Sequence, residues 1–311
     1  MTLPTTPPTS PASPSTAPAA LRALLAGEET VVCPGVVGPL YARMAEEIGF
    51  RVLFATGAGI ANEAYGLPDL GVIGLREMLD VTTRIVRSSS LPVIADIDTG
   101  YGGTLNVVHT VREFALAGVA AVQIEDQTHP KRCGHFAGKQ VVSTGEMLER
   151  LAAADEARGG SDLVILARTD ALALEDFDSA MERVRRYVAA GADAVFVEAP
   201  TTMEELRRIP GEVPAPLVVN MVEGGRTPIV PTAELNEMGY RIALYANSAL
   251  RSAMAATRKV LESLHATGGT AEVVDQLVPW ADRQAAVDLE GWLALDDEIS
   301  SRASGFAASG S

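Results

Sequence analysis

Eight short apolar runs alternate with longer helical patterns along the sequence from Thr30 onwards. The longer segments place apolar residues three and four positions apart, as in Met181, Val184 and Val188, which is typical of an amphipathic helix. A glycine that would end a helix precedes several of the runs, for example Gly118. Eight successive βα units over this length predict a (β/α)8 barrel of the TIM type. The predicted strands are Val31–Cys33, Val52–Ala55, Pro92–Ile97, Ala121–Ile124, Leu163–Ala167, Ala194–Val197, Leu217–Val219 and Ile242–Tyr245.

An open, doubly wound sheet is the alternative arrangement of alternating strands and helices. The commonest fingerprint of that fold is G-x-G-x-x-G after the first strand. No such motif follows the first predicted strand here, so the pattern favours the barrel.

Three regions of different composition divide the chain. Residues 1–19 are mostly Pro, Thr, Ser and Ala, a composition that buries no core, and we expect them to be disordered. The barrel is predicted over residues 20–266. Residues 267–311 form a C-terminal segment, in which one helix over Trp280–Ile299 is surplus to the eight units and Ser300–Ser311 should fray.

The composition excludes several classes of protein. The 311 residues carry a formal net charge of −15 with a pI of about 4.7, which argues against a nucleic-acid-binding surface. No apolar run is long enough to cross a membrane, and the N-terminus lacks the pattern of a secretory signal. Two isolated cysteines, Cys33 and Cys133, predict neither disulfides nor a zinc finger, so we expect a reducing, cytoplasmic location.

Polar residues end nearly every predicted strand. In a barrel of this type the functional groups sit at the C-terminal ends of the strands. Acids, amides and a guanidinium are therefore expected to meet at one mouth. The residues are Thr56, Asp96, Asp98, Glu125, Arg168, Glu198, Asn220 and Asn247.

Two acids near the third strand indicate a metal site. Asp96 and Asp98 are two positions apart, so on a strand their side chains point to the same side. With Glu125 from the next strand they offer three carboxylates, which suits Mg²⁺ or Mn²⁺. The alternative is a set of acids neutralised by Lys131 or Arg168.

The segment AVQIEDQTHPKRCGH, residues 121–135, groups unusual chemistry in one loop. Lys131 and Arg132 suit an anionic substrate, and Cys133 and His135 can move protons. The alternative is a solvated charged loop with an incidental thiol. The turn from Thr56 to Gly59 is either an oxyanion cradle or a tight bend.

Six motifs resemble those of the isocitrate lyase / phosphoenolpyruvate mutase superfamily, from about Leu21 to His265. Within it the pattern is most similar to C–C bond lyases that act on 2-methylisocitrate, 2,3-dimethylmalate or 2-alkylmalates, the last as in petal death protein. Carboxyphosphonoenolpyruvate mutase is the near alternative. The motifs are YGLPDLG (65–71), ADIDTGYGG (95–103), IEDQTHPKRCGH (124–135), LARTDALA (166–173), FVEAP (196–200) and NMVEGGRTP (220–228).

The resemblance implies a role for each matching residue. Mg²⁺, with Mn²⁺ possible, would be held by Asp96, Asp98 and Glu125, partly through water. The implied substrate-binding residues are Thr56, Gly57, Ala58, Asp69, Arg168, Glu198 and Asn220. The implied catalytic residues are Cys133, Arg168, His135 and Lys131, with Cys133 as the general acid, Arg168 stabilising the developing oxyanion and His135 helping to hold a substrate carboxylate.

The implied reaction is Mg²⁺-dependent cleavage of a 2-hydroxy di- or tricarboxylate by retro-aldol or retro-Claisen chemistry. The products would be an α-keto acid and a carboxylate. The alternatives are the phosphonate-forming mutase and an oxaloacetate hydrolase or decarboxylase. The resemblance also implies a homotetramer, a dimer of dimers, with the C-terminal helix exchanged between subunits and with no nucleic-acid or membrane partner.

Two positions depart from the resemblance. Phe54 stands where isocitrate and methylisocitrate lyases carry a tyrosine, so no phenol is available there. Asn247 follows the eighth strand where relatives often have an apolar residue. The general base is not assigned by the sequence.

Overall fold

Eight parallel strands close into a barrel in chain order, each pairing with the next and the last with the first. The computed structural model describes residues 16–131 and 138–309. The closed barrel confirms the predicted fold, and each predicted strand is found within a few residues of its expected bounds. The strands are β1 Val31–Val36, β2 Leu53–Ala55, β3 Val93–Asp96, β4 Ala121–Glu125, β5 Val164–Thr169, β6 Ala194–Val197, β7 Leu217–Asn220 and β8 Ile242–Tyr245.

Helices follow the strands, and four of them end at a glycine in the left-handed conformation, as the sequence indicated. None of the helices in the described ranges is both long and apolar enough to cross a membrane. The helices are α1 Thr16–Ala26, α2 Pro39–Ile48, α3 Gly57–Tyr65, α4 Leu75–Ser88, α5 Thr104–Ala117, α6 Thr144–Arg158, α7 Phe177–Ala189, α8 Met203–Glu212, α9 Thr232–Met238, α10 Ser248–Thr267, α11 Trp280–Ala285 and α12 Leu289–Ser309.

Helix α1 lies at the N-terminal ends of the strands. Its Leu21 is fully buried in the same apolar cluster as side chains of the barrel interior. Its Arg22 donates to the carbonyl oxygen of Asp162 at 2.8 Å and to Asp193 at 3.0 Å, just before β5 and β6. Because this helix covers the N-terminal end, the opposite, C-terminal end of the barrel is the one available to a ligand.

The chain forms two compact units, with the division between Ala253 and Met254, inside α10. In the unit that begins at Met254, the prediction of a single helix over Trp280–Ile299 is wrong. It is split into α11 and α12, with Asp288 between them in the left-handed conformation at φ 57°. Helix α12 continues to Ser309, and the expectation that this end of the chain frays stays a prediction.

A buried carboxylate ties the ends of β4 and β5 to helix α7. Asp126 is fully buried, and its Oδ2 accepts hydrogen bonds from Thr169 Oγ1 at 2.6 Å and from the Tyr187 hydroxyl at 2.9 Å. Its Oδ1 accepts from the Asp170 amide at 2.9 Å. Burial raises the pKa of Asp126, while the bonds from Thr169 and Asp170 oppose that rise. This network fixes the backbone directly after Glu125 and Arg168, two of the residues expected at the barrel mouth.

Replacing this acceptor should destabilise the fold. We expect Asp126→Asn to lower the free energy of unfolding by about 1–3 kcal/mol, because an amide NH₂ would face groups that already donate. Urea denaturation measures the change. The matched control is Asp176→Asn at the exposed start of α7, where Asp176 accepts from the Ser179 amide at 2.9 Å and asparagine caps about as well. Equal losses for the two variants would contradict the role given to Asp126.

Candidate active site

A cavity of 310 Å³ opens at the C-terminal ends of the strands. Its size suits a small organic acid. Eight of the residues implied by the resemblance line it, namely Thr56, Ala58, Asp69, Asp96, Lys131, Arg168, Glu198 and Asn220.

Five further residues from the implied set do not line this cavity. Gly57, Asp98 and Glu125 are buried directly behind its wall. Cys133 and His135 lie outside the described residues. The roles of all thirteen residues remain predictions.

Lys131 is buried between two carboxylates at one side of the cavity. Its Nζ lies 2.6 Å from Asp69 Oδ1 and 2.9 Å from Asp98 Oδ1. Burial alone would lower the pKa of Lys131, but Asp98, Asp96 and Asp69 together raise it well above its ordinary value. Burial raises the pKa of Asp98 to about 6, although the Lys131 ammonium opposes the rise. Lys131 thus stays charged and neutralises part of the acidic cluster.

Asp96 and Asp98 do not lie on one strand, as the sequence had predicted. The strand β3 ends at Asp96, and Asp98 has a left-handed backbone with φ 50°. The two side chains are therefore brought together by a turn and not by strand alternation. The Asp98 amide donates to Asp96 Oδ1 at 3.1 Å within that turn.

The segment from Thr56 to Gly59 is the first turn of α3, with Thr56 as the capping residue. The Gly57 amide donates to Asp96 Oδ2 at 3.3 Å, and the Gly59 amide donates to Thr56 Oγ1 at 3.3 Å. A methyl group at Gly57 would lie 2.7 Å from Asp96 Oδ2, so only glycine allows this approach. The cavity therefore meets the positive end of a helix, a setting that favours an anion.

Glu125 has the features of a cation ligand. It is almost fully buried, and neither carboxylate oxygen accepts a hydrogen bond from the described residues. The nearest cation is Arg168, with Nε 3.4 Å from Oε2. Burial raises the pKa of Glu125 well above its ordinary value even though Arg168 opposes this, so a cation would offset the cost of burying its charge.

The described residues contain no three carboxylate, imidazole or thiol groups placed to hold an ion directly. Mg²⁺ commonly binds through one or two carboxylates, several waters and the substrate. Glu125 and Asp96 therefore fit an ion held partly through water. They do not form a closed protein cage.

Arg168 is held in place by carboxylates on several sides. Its Nε lies 2.9 Å from Asp170 Oδ2, and its Nη2 lies 3.1 Å from Glu198 Oε2. Lys139, also buried, contacts Asp170 Oδ1 at 2.7 Å. Burial would raise the pKa of Asp170, but Arg168 and Lys139 outweigh it and lower that pKa. The guanidinium is thus fixed before any substrate arrives.

Sequence reasoning missed Asp170 and Lys139. Asp170 lies two positions after Arg168, a spacing that could have suggested a partner. No sequence pattern pointed to Lys139, because only the folded chain brings it to the end of β5, where it contacts Asp170.

Apolar side chains also line the cavity. They are Phe54 of β2, Leu244 of β8 and Val222, which follows β7. At the rim Arg251 Nη1 donates to the Glu223 carbonyl oxygen at 2.7 Å and lies 3.3 Å from Glu223 Oε2. Arg251 is a further lining residue that the sequence did not single out.

Comparison with curated proteins shows close relatives over most of the chain. A 2-methylisocitrate lyase of Shewanella oneidensis is 41% identical over 278 residues, 89% of this chain and 94% of the relative. A 2,3-dimethylmalate lyase of Eubacterium barkeri is 40% identical over 272 residues, 88% of this chain and 94% of the relative.

Solved structures with the same fold include enzymes of other activities. Oxaloacetate acetylhydrolase in complex with the inhibitor 3,3-difluorooxalacetate matches with a TM-score of 0.88 and 36% identity, covering 94% of this chain and 99% of that one. Phosphonopyruvate hydrolase in complex with oxalate and Mg²⁺ matches with a TM-score of 0.82 and 29% identity, covering 90% and 98%.

The family model described as phosphoenolpyruvate phosphomutase matches residues 21–265. This range agrees with the extent of the resemblance seen in the motifs. The chain belongs to the isocitrate lyase / phosphoenolpyruvate mutase superfamily and is one of its enzymes.

Proposed function

We propose that this enzyme is a Mg²⁺-dependent C–C lyase. It cleaves a small 2-hydroxy dicarboxylate or tricarboxylate to an α-keto acid and a carboxylate. The observation that carries the proposal is the fixed Arg168 guanidinium, which lines a cavity of 310 Å³ and lies 3.4 Å from Glu125, whose carboxylate oxygens accept no hydrogen bond from the described residues. A fixed cation next to a metal-type carboxylate suits a reaction that develops negative oxygen.

The substrate carboxylates have distinct places in this proposal. Thr56 and the first turn of α3 receive the carboxylate of the half that becomes the keto acid, because the helix start attracts an anion. Asn220 and Glu198, which also line the cavity, orient the other carboxylate together with His135. Lys131 and Arg168 counter the repulsion between these acids and an anionic substrate.

Cleavage breaks the bond between the carbinol carbon and its neighbour. The hydroxyl proton leaves to a base, the carbinol oxygen becomes the keto oxygen, and the electron pair of the broken bond forms an enolate of the second product. Cys133 delivers a proton to that carbon. Arg168 stabilises the negative oxygen, and Mg²⁺, which Asp96, Asp98 and Glu125 would hold partly through water, would supply further positive charge to the site.

Hydrolysis of oxaloacetate is a second candidate, favoured by the structural likeness to oxaloacetate acetylhydrolase. The phosphonate-forming mutase is a third. Assays of the wild-type enzyme on 2-alkylmalates, 2-methylisocitrate, oxaloacetate and a phosphonate substrate separate the three. Turnover of the phosphonate alone would replace the lyase proposal with the mutase.

Metal removal should abolish activity. We expect excess EDTA to stop turnover and Mg²⁺ to restore it, and Asp98→Ala to resemble the chelated enzyme, because Asp98 belongs to the acidic cluster beside Glu125. The matched control is Asp80→Ala, an exposed residue paired with Arg84 at 2.8 Å, which should keep both the activity and its rescue. Full turnover in excess EDTA would refute the metal requirement.

A substitution of Cys133 tests whether its thiol delivers the proton to the second product. We expect Cys133→Ser to lower kcat by about 10²–10⁴ with little change in substrate binding, because serine is a much weaker acid. The control is Cys33→Ala in the barrel interior, which should keep kcat per folded molecule even if it lowers stability. Wild-type rates on alkylmalates for the serine variant would show that Cys133 is not the acid.

We propose a homotetramer for the assembly, built as a dimer of dimers with the C-terminal helices exchanged. The support is the set of large apolar side chains exposed on α11 and α12, among them Trp280 at 71% and Trp292 at 65%. A second subunit would bury such a surface.

Truncation tests this assembly. A chain that ends before Pro279 should form smaller and less stable particles in light scattering, because it lacks both helices, whereas a chain that ends at Ser309 should assemble as the full chain does. A monomer for the full chain would contradict the proposal.

A further inference from the structure

A buried arginine on helix α6 reaches the end of β4, where Glu125 lies. Arg150 is 6% exposed, and its Nη1 donates to the carbonyl oxygens of Glu125 and Gln127, both at 2.9 Å. Its Nη2 donates to Glu146 Oε1, one helical turn earlier, at 2.9 Å. Arg150 does not line the cavity, so its effect on the site passes through the backbone that it holds.

The backbone of Glu125 is held on both sides of its side chain. Its amide donates to the Asp98 carbonyl oxygen at 2.9 Å, and its carbonyl oxygen accepts from Arg150. The strand β3 ends at Asp96, and the chain turns at Asp98, so a side chain from α6 holds β4 where this neighbouring strand stops. The two bonds fix the peptide groups before and after Glu125.

A guanidinium suits this contact because of its shape. The two N–H groups of Nη1 diverge in one plane, so a single nitrogen serves two carbonyl oxygens that are two residues apart. Between them, the Asp126 carbonyl oxygen accepts from the Val142 amide at 2.8 Å. A buried carbonyl that loses its donor is costly. Without the guanidinium, residues 125–127 would therefore shift to reach other donors, and the Glu125 carboxylate would shift with them.

We propose that Arg150 is a positioning residue for the divalent cation that Glu125 would hold. It acts through the backbone, by keeping the Glu125 carboxylate where the ion binds. This inference rests on the metal site of the proposed function and is independent of which reaction the enzyme performs. Residues that orient a metal ligand without touching the ion commonly change metal affinity by about 10–100-fold when they are replaced.

Mn²⁺ binding to the substrate-free enzyme tests the assignment. Electron paramagnetic resonance measures it, because Mn²⁺ loses most of its solution signal when it binds to a protein. We expect Arg150→Met to raise the Kd for Mn²⁺ by about 10–100-fold, since methionine occupies the buried site but cannot donate. Arg150→Lys keeps a donating cation without the planar fork, so its Kd should lie between those of the wild type and the methionine variant.

The matched control is Arg158→Met, the same substitution at the end of the same helix. Arg158 also donates to backbone carbonyl oxygens, those of Leu163 at 3.3 Å and Gly191 at 3.4 Å, and it pairs with Asp155 and Asp193. Its loss should lower the free energy of unfolding in urea. It should leave Mn²⁺ binding as in the wild type, because these contacts lie before β5 and β6 and not at the end of β4.

The outcomes separate this inference from the proposed function. Wild-type Mn²⁺ affinity in a folded Arg150→Met protein, or equal weakening by Arg158→Met, would overturn the role of Arg150. If Arg150→Met does not fold, the lysine variant decides, and an unchanged Kd would overturn the role. A wild type that binds no Mn²⁺ would refute the metal site and this inference together. A wild type that binds Mn²⁺ but cleaves neither 2-alkylmalates nor 2-methylisocitrate would refute only the lyase proposal.

Discussion

A guanidinium buried among carboxylates is the interaction on which the barrel mouth depends. Arg168 contacts Asp170 and Glu198 within 3.1 Å, and Glu125 lies 3.4 Å from its Nε. A buried charge without a partner is strongly unfavourable, so the ends of β4, β5 and β6 must stay together to surround this cation. Lys139 extends the arrangement, because it binds the same Asp170 from the segment that follows the loop. The site is therefore shaped by charge balance before it meets a substrate.

The second buried cation, Lys131, neutralises part of the acidic cluster on the other side of the site. An acidic protein with Asp69, Asp96 and Asp98 close together would repel an anionic ligand. Lys131 lies between two of these acids and remains charged. A divalent cation near Asp96 and Glu125 would add positive charge to the same cluster. Chelation is then expected to affect the carboxylates of the site more than the fold around them.

The barrel could be predicted well from the sequence, because each strand leaves its own apolar run within a few consecutive residues. Apolar runs such as Ala194–Val197 and Ile242–Tyr245 match their strands residue for residue, since burial on both faces leaves a continuous apolar signal. Turns and breaks were harder. The left-handed residues Asp98 and Asp288 changed how two acids meet and where the last helix divides, and neither residue type demands that conformation. Lys139 was missed because only the folded chain brings it to Asp170.

The two sides of the cavity are constrained to different degrees. On the side of β3 to β6 each charged group serves a neighbour, so a substitution there disturbs several ion pairs at once. Phe54 of β2 and Leu244 of β8 also line the cavity, and these apolar side chains take part in no ion pair. Changes of substrate preference are therefore most easily accommodated at such apolar positions, where a substitution leaves the charges of the site unaltered.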